Sequence, residues 1–217
     1  MADKSTPVTE KHFDYIAEHT TKEDEFLISL KEAASKEGIP SIWISPEQAS
    51  FMQILLKLYH VRTVIEVGTL AGYSAIWMAR ALSKDSRLYT IEINPKFSGF
   101  AKEWISKSDV SDCIEVICDS GENAIKKFKN ESADAIFLDA DKPNYPKYLK
   151  EGMRILRKGG LIMADNAFAF GELFEENPED KEVEAMRNFN EIIAKEKRLH
   201  SIIVPLGDGL WIGVKLF

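Results

Sequence analysis

Cysteine is scarce in this chain. Cys113 and Cys118 are the only two, they bracket a short apolar run, and their spacing matches no zinc site. A disulfide framework is therefore excluded; two reduced thiols and a reducing cytoplasm are expected. Long apolar runs are missing as well, since nothing approaches the ~20 residues of a membrane-spanning helix. The polar stretch Met1 to Glu10 lacks the apolar segment of a secretory signal. Positive charge is in deficit: 28 Lys and Arg against 35 Asp and Glu leave a net charge of -7, which opposes attraction to phosphate backbones and anionic membrane surfaces. Nucleic acid is demoted as a partner in favour of a small molecule. No linker rich in Pro, Gly or Ser divides the chain, so a single domain over residues 1–217 is expected.

What is present is a change of period. From Glu10 to Glu37, Phe13, Ile16, Phe26, Leu27 and Leu30 recur among charges with helical spacing, broken near Thr20 and stopped by Gly38 and Pro40. These first 40 residues read as a helical extension that could form a substrate mouth or a dimer contact. Ser45-Pro46-Glu47-Gln48 then opens another helix, with Ser45 as cap, Pro46 at the first helical position and Gln48 completing a capping box. Beyond it come short β-rich runs at Thr63–Val67, Arg87–Ile93, Cys113–Cys118, Ala133–Leu138 and Gly160–Ala164, separated by helical segments. Strands this apolar belong to a mostly parallel sheet covered by helices on both faces, a doubly wound α/β fold. His200 to Leu206 and Leu210 to Phe217, joined by Gly207-Asp208-Gly209, read as a closing β-hairpin that adds an antiparallel strand. The acidic run from Glu172 to Glu184 reads as a solvated loop and helix start.

Polar residues recur where these strands run out, and in an open parallel sheet the carboxyl ends of the strands form the ligand crevice. The first strand ends in Glu66-Val67-Gly68, with Gly72-Tyr73-Ser74 opening a helix. Gly68 and Gly72 are separated by Thr69, Leu70 and Ala71, and the third glycine of the dinucleotide fingerprint is absent. Such a turn suits a ligand without a pyrophosphate, and the acid Glu66 is compatible with the positive groups of S-adenosylmethionine. Glu92 ends the second strand, roughly 20 residues past the first turn, where a carboxylate can accept both hydroxyls of a ribose. Asp119-Ser120 follows the third strand at the expected adenine edge. Asp139 ends the fourth and Asp165-Asn166 the fifth. Oxygen donors without His or Cys favour Mg²⁺ or Ca²⁺ over zinc. Lys142, three residues beyond Asp139, is a candidate general base whose pKa a neighbouring cation and partial burial would depress.

In this order and spacing, Glu66-Val-Gly-Thr-Leu-Ala-Gly-Tyr-Ser, Asp139-Ala-Asp-Lys-Pro-Asn-Tyr, Asp165-Asn166 and Gly207-Asp-Gly resemble the cation-dependent small-molecule O-methyltransferases, the caffeoyl-CoA and catechol O-methyltransferase family. The resemblance runs from Ser41 to Phe217. It implies a seven-stranded Rossmann-like sheet, a homodimer, and a divalent cation, Mg²⁺ first with Ca²⁺ or Mn²⁺ as alternatives, on Asp139, Asp165 and Asn166. It implies Lys142 as the base. It places Glu66, Gly68, Thr69, Ser74, Glu92, Ser120 and Asp141 against S-adenosylmethionine, with Ile44 as a backbone contact. The expected acceptor is a vicinal diol such as a catechol. Rival readings are modification of a hydroxylated tRNA base on the same scaffold, an NAD-dependent oxidoreductase, and a non-catalytic metabolite-binding protein. The chain departs from the family three residues past Asn166, where a Trp is common and Ala169 stands instead.

Overall fold

The computed structural model describes residues 6–217, so the first half of the polar stretch Met1 to Glu10 lies outside the described residues. Helices α1 (Glu10–His19) and α2 (Glu25–Lys36) separate at the expected break, and Asp24 caps α2 by accepting the Leu27 N–H at 3.0 Å. Next come α3 (Pro46–Leu58), β1 (Thr63–Val67), α4 (Tyr73–Ala79), β2 (Arg87–Glu92), α5 (Pro95–Ser106), β3 (Ile114–Cys118), α6 (Gly121–Ile125) and β4 (Ala133–Leu138). The chain finishes with α7 (Tyr145–Ile155), β5 (Leu156–Ala164), α8 (Val183–Ala194), β6 (Leu199–Val204) and β7 (Leu210–Lys215).

The seven strands lie in the order β3-β2-β1-β4-β5-β7-β6, parallel except for β7, which runs antiparallel to both neighbours. The strand pleat sends alternate residues into two cores. On one face Val64, Ala135, Phe137, Leu161 and Met163 pack with Leu27, Met52, Leu56, Ile76 and Ile105 of α2 to α5. On the other, Ile65, Val67, Ile136, Leu138 and Ile162 pack with Ile125, Leu149, Met153 and Phe189 of α6 to α8. Fully burying one such side chain is worth about 1.5–3 kcal/mol, so both faces demand cover and the strands show no polar alternation. The chain reverses its winding direction between β1 and β4. That switch point is where a crevice opens at the carboxyl ends of the strands.

The expected doubly wound sheet is observed, with local differences. β2 stops at Glu92 and leaves Ile93 exposed, while β5 begins at Leu156, ahead of the expected Gly160. The terminal hairpin is joined by Pro205 to Gly209 rather than by three residues, and β7 inserts between β5 and β6. The Ser45 hydroxyl does cap α3, accepting from the Gln48 N–H at 3.2 Å, but the Gln48 side chain turns away from the cap. A fully apolar strand is legible locally; the direction of a long polar side chain with two possible partners is not.

Candidate active site

The turn after β1 requires glycine. Gly68 sits at φ +107°, and a Cβ there would lie 1.9 Å from the Asp139 carbonyl oxygen. The close approach lets the β1 turn and the β4 end share one wall, reinforced by the Asp139 N–H donating to the Val67 carbonyl at 2.9 Å. Beneath the turn lies Glu66, fully buried, with its two carboxyl oxygens accepting the Ser74 and Thr90 hydroxyls at 2.5 Å each. Thr90 also meets the Thr69 hydroxyl at 2.5 Å. Burial chiefly, with the nearby Asp139 and Glu92 charges adding to it against the two hydroxyl bonds, pushes the Glu66 carboxyl up to about 8. Glu66 thus underlies the cavity and positions its floor; it does not itself line the cavity.

Glu92 is held by backbone, with one oxygen accepting the Leu70 N–H at 2.9 Å and the other the Asn94 N–H at 2.8 Å. Each oxygen keeps a further acceptor site, the pattern needed to bind two adjacent hydroxyls. Ser120 caps α6 through the Asn123 N–H at 3.3 Å, and Asp141 accepts the Tyr148 hydroxyl at 2.7 Å.

Across the switch point, Lys142 is only 5% exposed. Its Nζ donates to Asp139 Oδ1 at 3.1 Å and to the Tyr145 hydroxyl at 2.8 Å, and lies 4.8 Å from the Tyr145 ring centroid. Burial pulls the ammonium down, but Tyr145 and the Asp139 carboxylate outweigh it and hold Lys142 above its ordinary value. The nearest charge, the Asp139 carboxylate, sets this direction; the expected depression belongs to the site with a cation beside the lysine. Asp165 is held up from its ordinary value by burial and then by Asp139. Its Oδ1 accepts the Gln48 amide at 2.8 Å. Gln48 is itself buried against Gly207, where a Cβ would come within 2.3 Å of its amide oxygen. Asn166, at φ +65°, donates its amide to Asp208 Oδ2 at 3.0 Å.

One cavity of about 1140 Å³ gathers these groups. Ile44, Gly68, Thr69, Ser74, Glu92, Ser120 and Asp141 line it, as do Asp139, Lys142, Asp165 and Asn166. Its volume exceeds the roughly 300–1,000 Å³ of ordinary ligand pockets, which suits two ligands held side by side. Among the described residues no three His, Cys, Asp or Glu side chains assemble at metal spacing. A cation would thus rely on the two carboxylates and the Asn166 amide. That donor set is all oxygen, and a cation would relieve the repulsion between Asp139 and Asp165, so the residues fit the group.

Gln48, Phe170 and Glu182 complete the site without having stood out as functional in the sequence, and Tyr145 and Asp208, present in the resembling motifs but given no role there, join them. Phe170 lines the cavity at φ +61°, its ring centroid 6.0 Å from Lys142 Nζ. It supplies an aromatic wall one residue beyond the buried Ala169. Glu182, inside the acidic run, lines the cavity and accepts the Lys142 N–H at 3.2 Å.

A doubly wound sheet with one inserted antiparallel strand, a glycine-poor acidic turn after β1 and a large cavity at the switch point defines a Rossmann-like enzyme of the methyltransferase class. Residues 17–216 match the O-methyltransferase family, and the chain belongs to it. It is 34% identical over 204 residues to a catechol O-methyltransferase of Niastella koreensis, covering 93% of this chain and 90% of that protein. Among solved structures, an O-methyltransferase from Bacillus cereus in complex with SAH superposes with a TM-score of 0.84 at 31% identity, covering 94% of this chain and 96% of the other. A Klebsiella pneumoniae structure assigned to the O-methyltransferases superposes with a TM-score of 0.86 at 29% identity, covering 94% of this chain and 96% of the other.

Proposed function

We propose that the whole chain acts as one methyltransferase domain that moves the methyl group of S-adenosylmethionine to a hydroxyl of a vicinal diol, a catechol or caffeoyl-like small molecule, with a divalent cation at Asp139, Asp165 and Asn166. The observation that carries the reading is the single cavity in which Gly68, Thr69 and Glu92 face one half and Asp139, Lys142 and Asp165 the other. The catechol O-methyltransferase relative supports a catechol-type acceptor, and the SAH complex of the Bacillus cereus protein supports S-adenosylmethionine as donor.

In this reading Glu92 accepts the ribose hydroxyls, while the Gly68 turn lets the backbone approach the methionine portion. The cation, when bound, supplies Lewis acidity that lowers the pKa of an acceptor hydroxyl. Burial favours the neutral amine of Lys142 once a cation on Asp139 and Asp165 offsets the carboxylate charge that favours the ammonium, and its Nζ then takes the hydroxyl proton. The acceptor oxygen forms the new O–C bond as the S–C bond of the sulfonium breaks, and S-adenosylhomocysteine departs. Phe170 packs against the acceptor ring. Most of the acceleration comes from holding oxygen and methyl in line. The homodimer and the cytoplasmic location belong to this proposal as well; among the described residues no helix is long and apolar enough to cross a membrane.

The test is a methyl-transfer screen over catechol, a caffeoyl thioester and bulk tRNA, with and without EDTA. Catechol or caffeoyl turnover abolished by EDTA and restored by Mg²⁺ is expected, with Lys142→Ala lowering kcat by about 10²-fold or more, as for loss of a general base. Undiminished turnover in EDTA refutes the ion, and an unchanged pH-rate profile in Lys142→Ala refutes the base.

A further inference from the structure

We infer that Asp208 is a positioning residue that sets both the Asn166 donor of the proposed ion site and the Phe170 wall of the acceptor site. A single oxygen, Asp208 Oδ2, accepts the Asn166 side-chain N–H at 3.0 Å and the Phe170 backbone N–H at 2.8 Å. An ionised carboxylate only accepts hydrogen bonds, so Asn166 must turn its amide nitrogen toward Asp208. Its carbonyl oxygen, the atom a hard cation would take, is left for the cavity.

The same contact holds an otherwise unfavourable backbone. Asn166, Ala169 and Phe170 have φ of 65°, 53° and 61°, a region that non-glycine residues enter rarely and keep only where the surroundings enforce it. The loop carrying Asp208 supplies that enforcement. Besides the carboxylate, the Asp208 carbonyl accepts the Phe168 N–H at 2.9 Å and the Gly209 carbonyl accepts the Ala167 N–H at 2.8 Å. With Phe170 fixed in this conformation, its ring faces Lys142 at the cavity wall. Ion and acceptor geometry are thereby tied to one side chain in the β6–β7 loop, far along the chain from either.

The inference rests on the ion and acceptor sites proposed above. Its test uses the full chain with S-adenosylhomocysteine present, titrated with Mn²⁺ and followed by electron paramagnetic resonance. Asp208→Ala is expected to weaken Mn²⁺ by about tenfold or more and to raise the KM for catechol, as loss of a ligand's supporting partner does. Affinity for S-adenosylhomocysteine should stay within about twofold, since a general loss of fold would lower it too. Asp208→Asn, whose side-chain oxygen still accepts both N–H groups, should stay within about threefold of the wild type for Mn²⁺. Should Asp208→Ala fail to fold, Asp208→Ser, polar but too short to span both donors, is read in its place. Mn²⁺ binding by the truncated variant equal to that of the wild type overturns the role of Asp208 alone. Equal impairment in Asp208→Asn overturns it too, pointing to charge instead of hydrogen-bond geometry. A wild-type chain that binds no Mn²⁺ overturns the ion site and this inference with it.

Discussion

The substitution Glu66→Gln should make the protein gain stability as pH rises, relative to the wild type. Glu66 is fully buried and its carboxyl is pushed from an ordinary 4.5 to about 8, by burial first. An acid raised in the folded state contributes most below its unfolded pKa, where both states bind the proton, and that contribution is lost as pH climbs through the folded value. At about 1.4 kcal/mol per pH unit, the wild type should lose roughly 3–4 kcal/mol from this group between about pH 5 and about pH 8. A glutamine side chain in its place does not titrate. It can accept from one of the Ser74 and Thr90 hydroxyls but must donate to the other, and one amide N–H left over would cost about 1–3 kcal/mol at every pH. Urea unfolding of both proteins across that window separates the two effects, because groups common to both cancel in the difference. The variant should be the less stable protein near pH 5 and should overtake or close on the wild type near pH 8. A stability difference flat to within ~1 kcal/mol over the window would refute the buried, mostly protonated Glu66.

Two further positions probe the scaffold of the site. Gly68→Ala, with its Cβ at 1.9 Å from the Asp139 carbonyl and φ at +107°, should cost about 3–5 kcal/mol in urea unfolding and weaken S-adenosylhomocysteine binding in calorimetry. A loss below ~1 kcal/mol would mean that the turn and β4 separate easily. Gln48→Ala removes the donor that meets Asp165 at 2.8 Å and should cost about 1.5–3 kcal/mol, while Gln48→Glu, placing a second carboxyl there, should cost more at neutral pH than in acid. Equal losses for the two variants at neutral pH would show that Gln48 only fills space.

Much of the fold can be read without the structure because its central strands are mostly apolar. β1 and β4 run from Thr63 to Val67 and from Ala133 to Leu138, as their residue types imply, since burial on both faces leaves little that is polar within them to blur the limits. The site's acids are equally visible, because strand ends converge at the switch point whatever lies between them. What escapes depends on geometry that residue type does not encode. Gln48 sits at the capping-box position, yet its side chain crosses to a carboxylate 117 residues away, a partner no local pattern announces. Phe170 lines the cavity on a segment where Ala169 and Phe170 itself take positive φ, which neither residue type foretells. Glu182 hides in a run of acids whose other members give no hint that one faces Lys142. The contact between Lys142 and the carboxylate of Asp139 is hidden for a related reason: two residues at a strand end can be seen to be near, but which charge lies closest to the ammonium is set by side-chain geometry.

The contact between Gly68 and the Asp139 carbonyl divides the labour of change within the site. The two strand ends meet backbone to backbone, so in the proposed reading the gap between a methyl donor on β1 and an acceptor beside β4 would be set by main chain, with no side chain available to tune it. The far wall, made by Phe170, lies on a loop held by hydrogen bonds to the β6–β7 loop, with no backbone contact as close as that of Gly68. A lineage can therefore trade one acceptor for another by rewriting that loop, while the reach of the transfer itself stays at a length that mutation can break but hardly adjust.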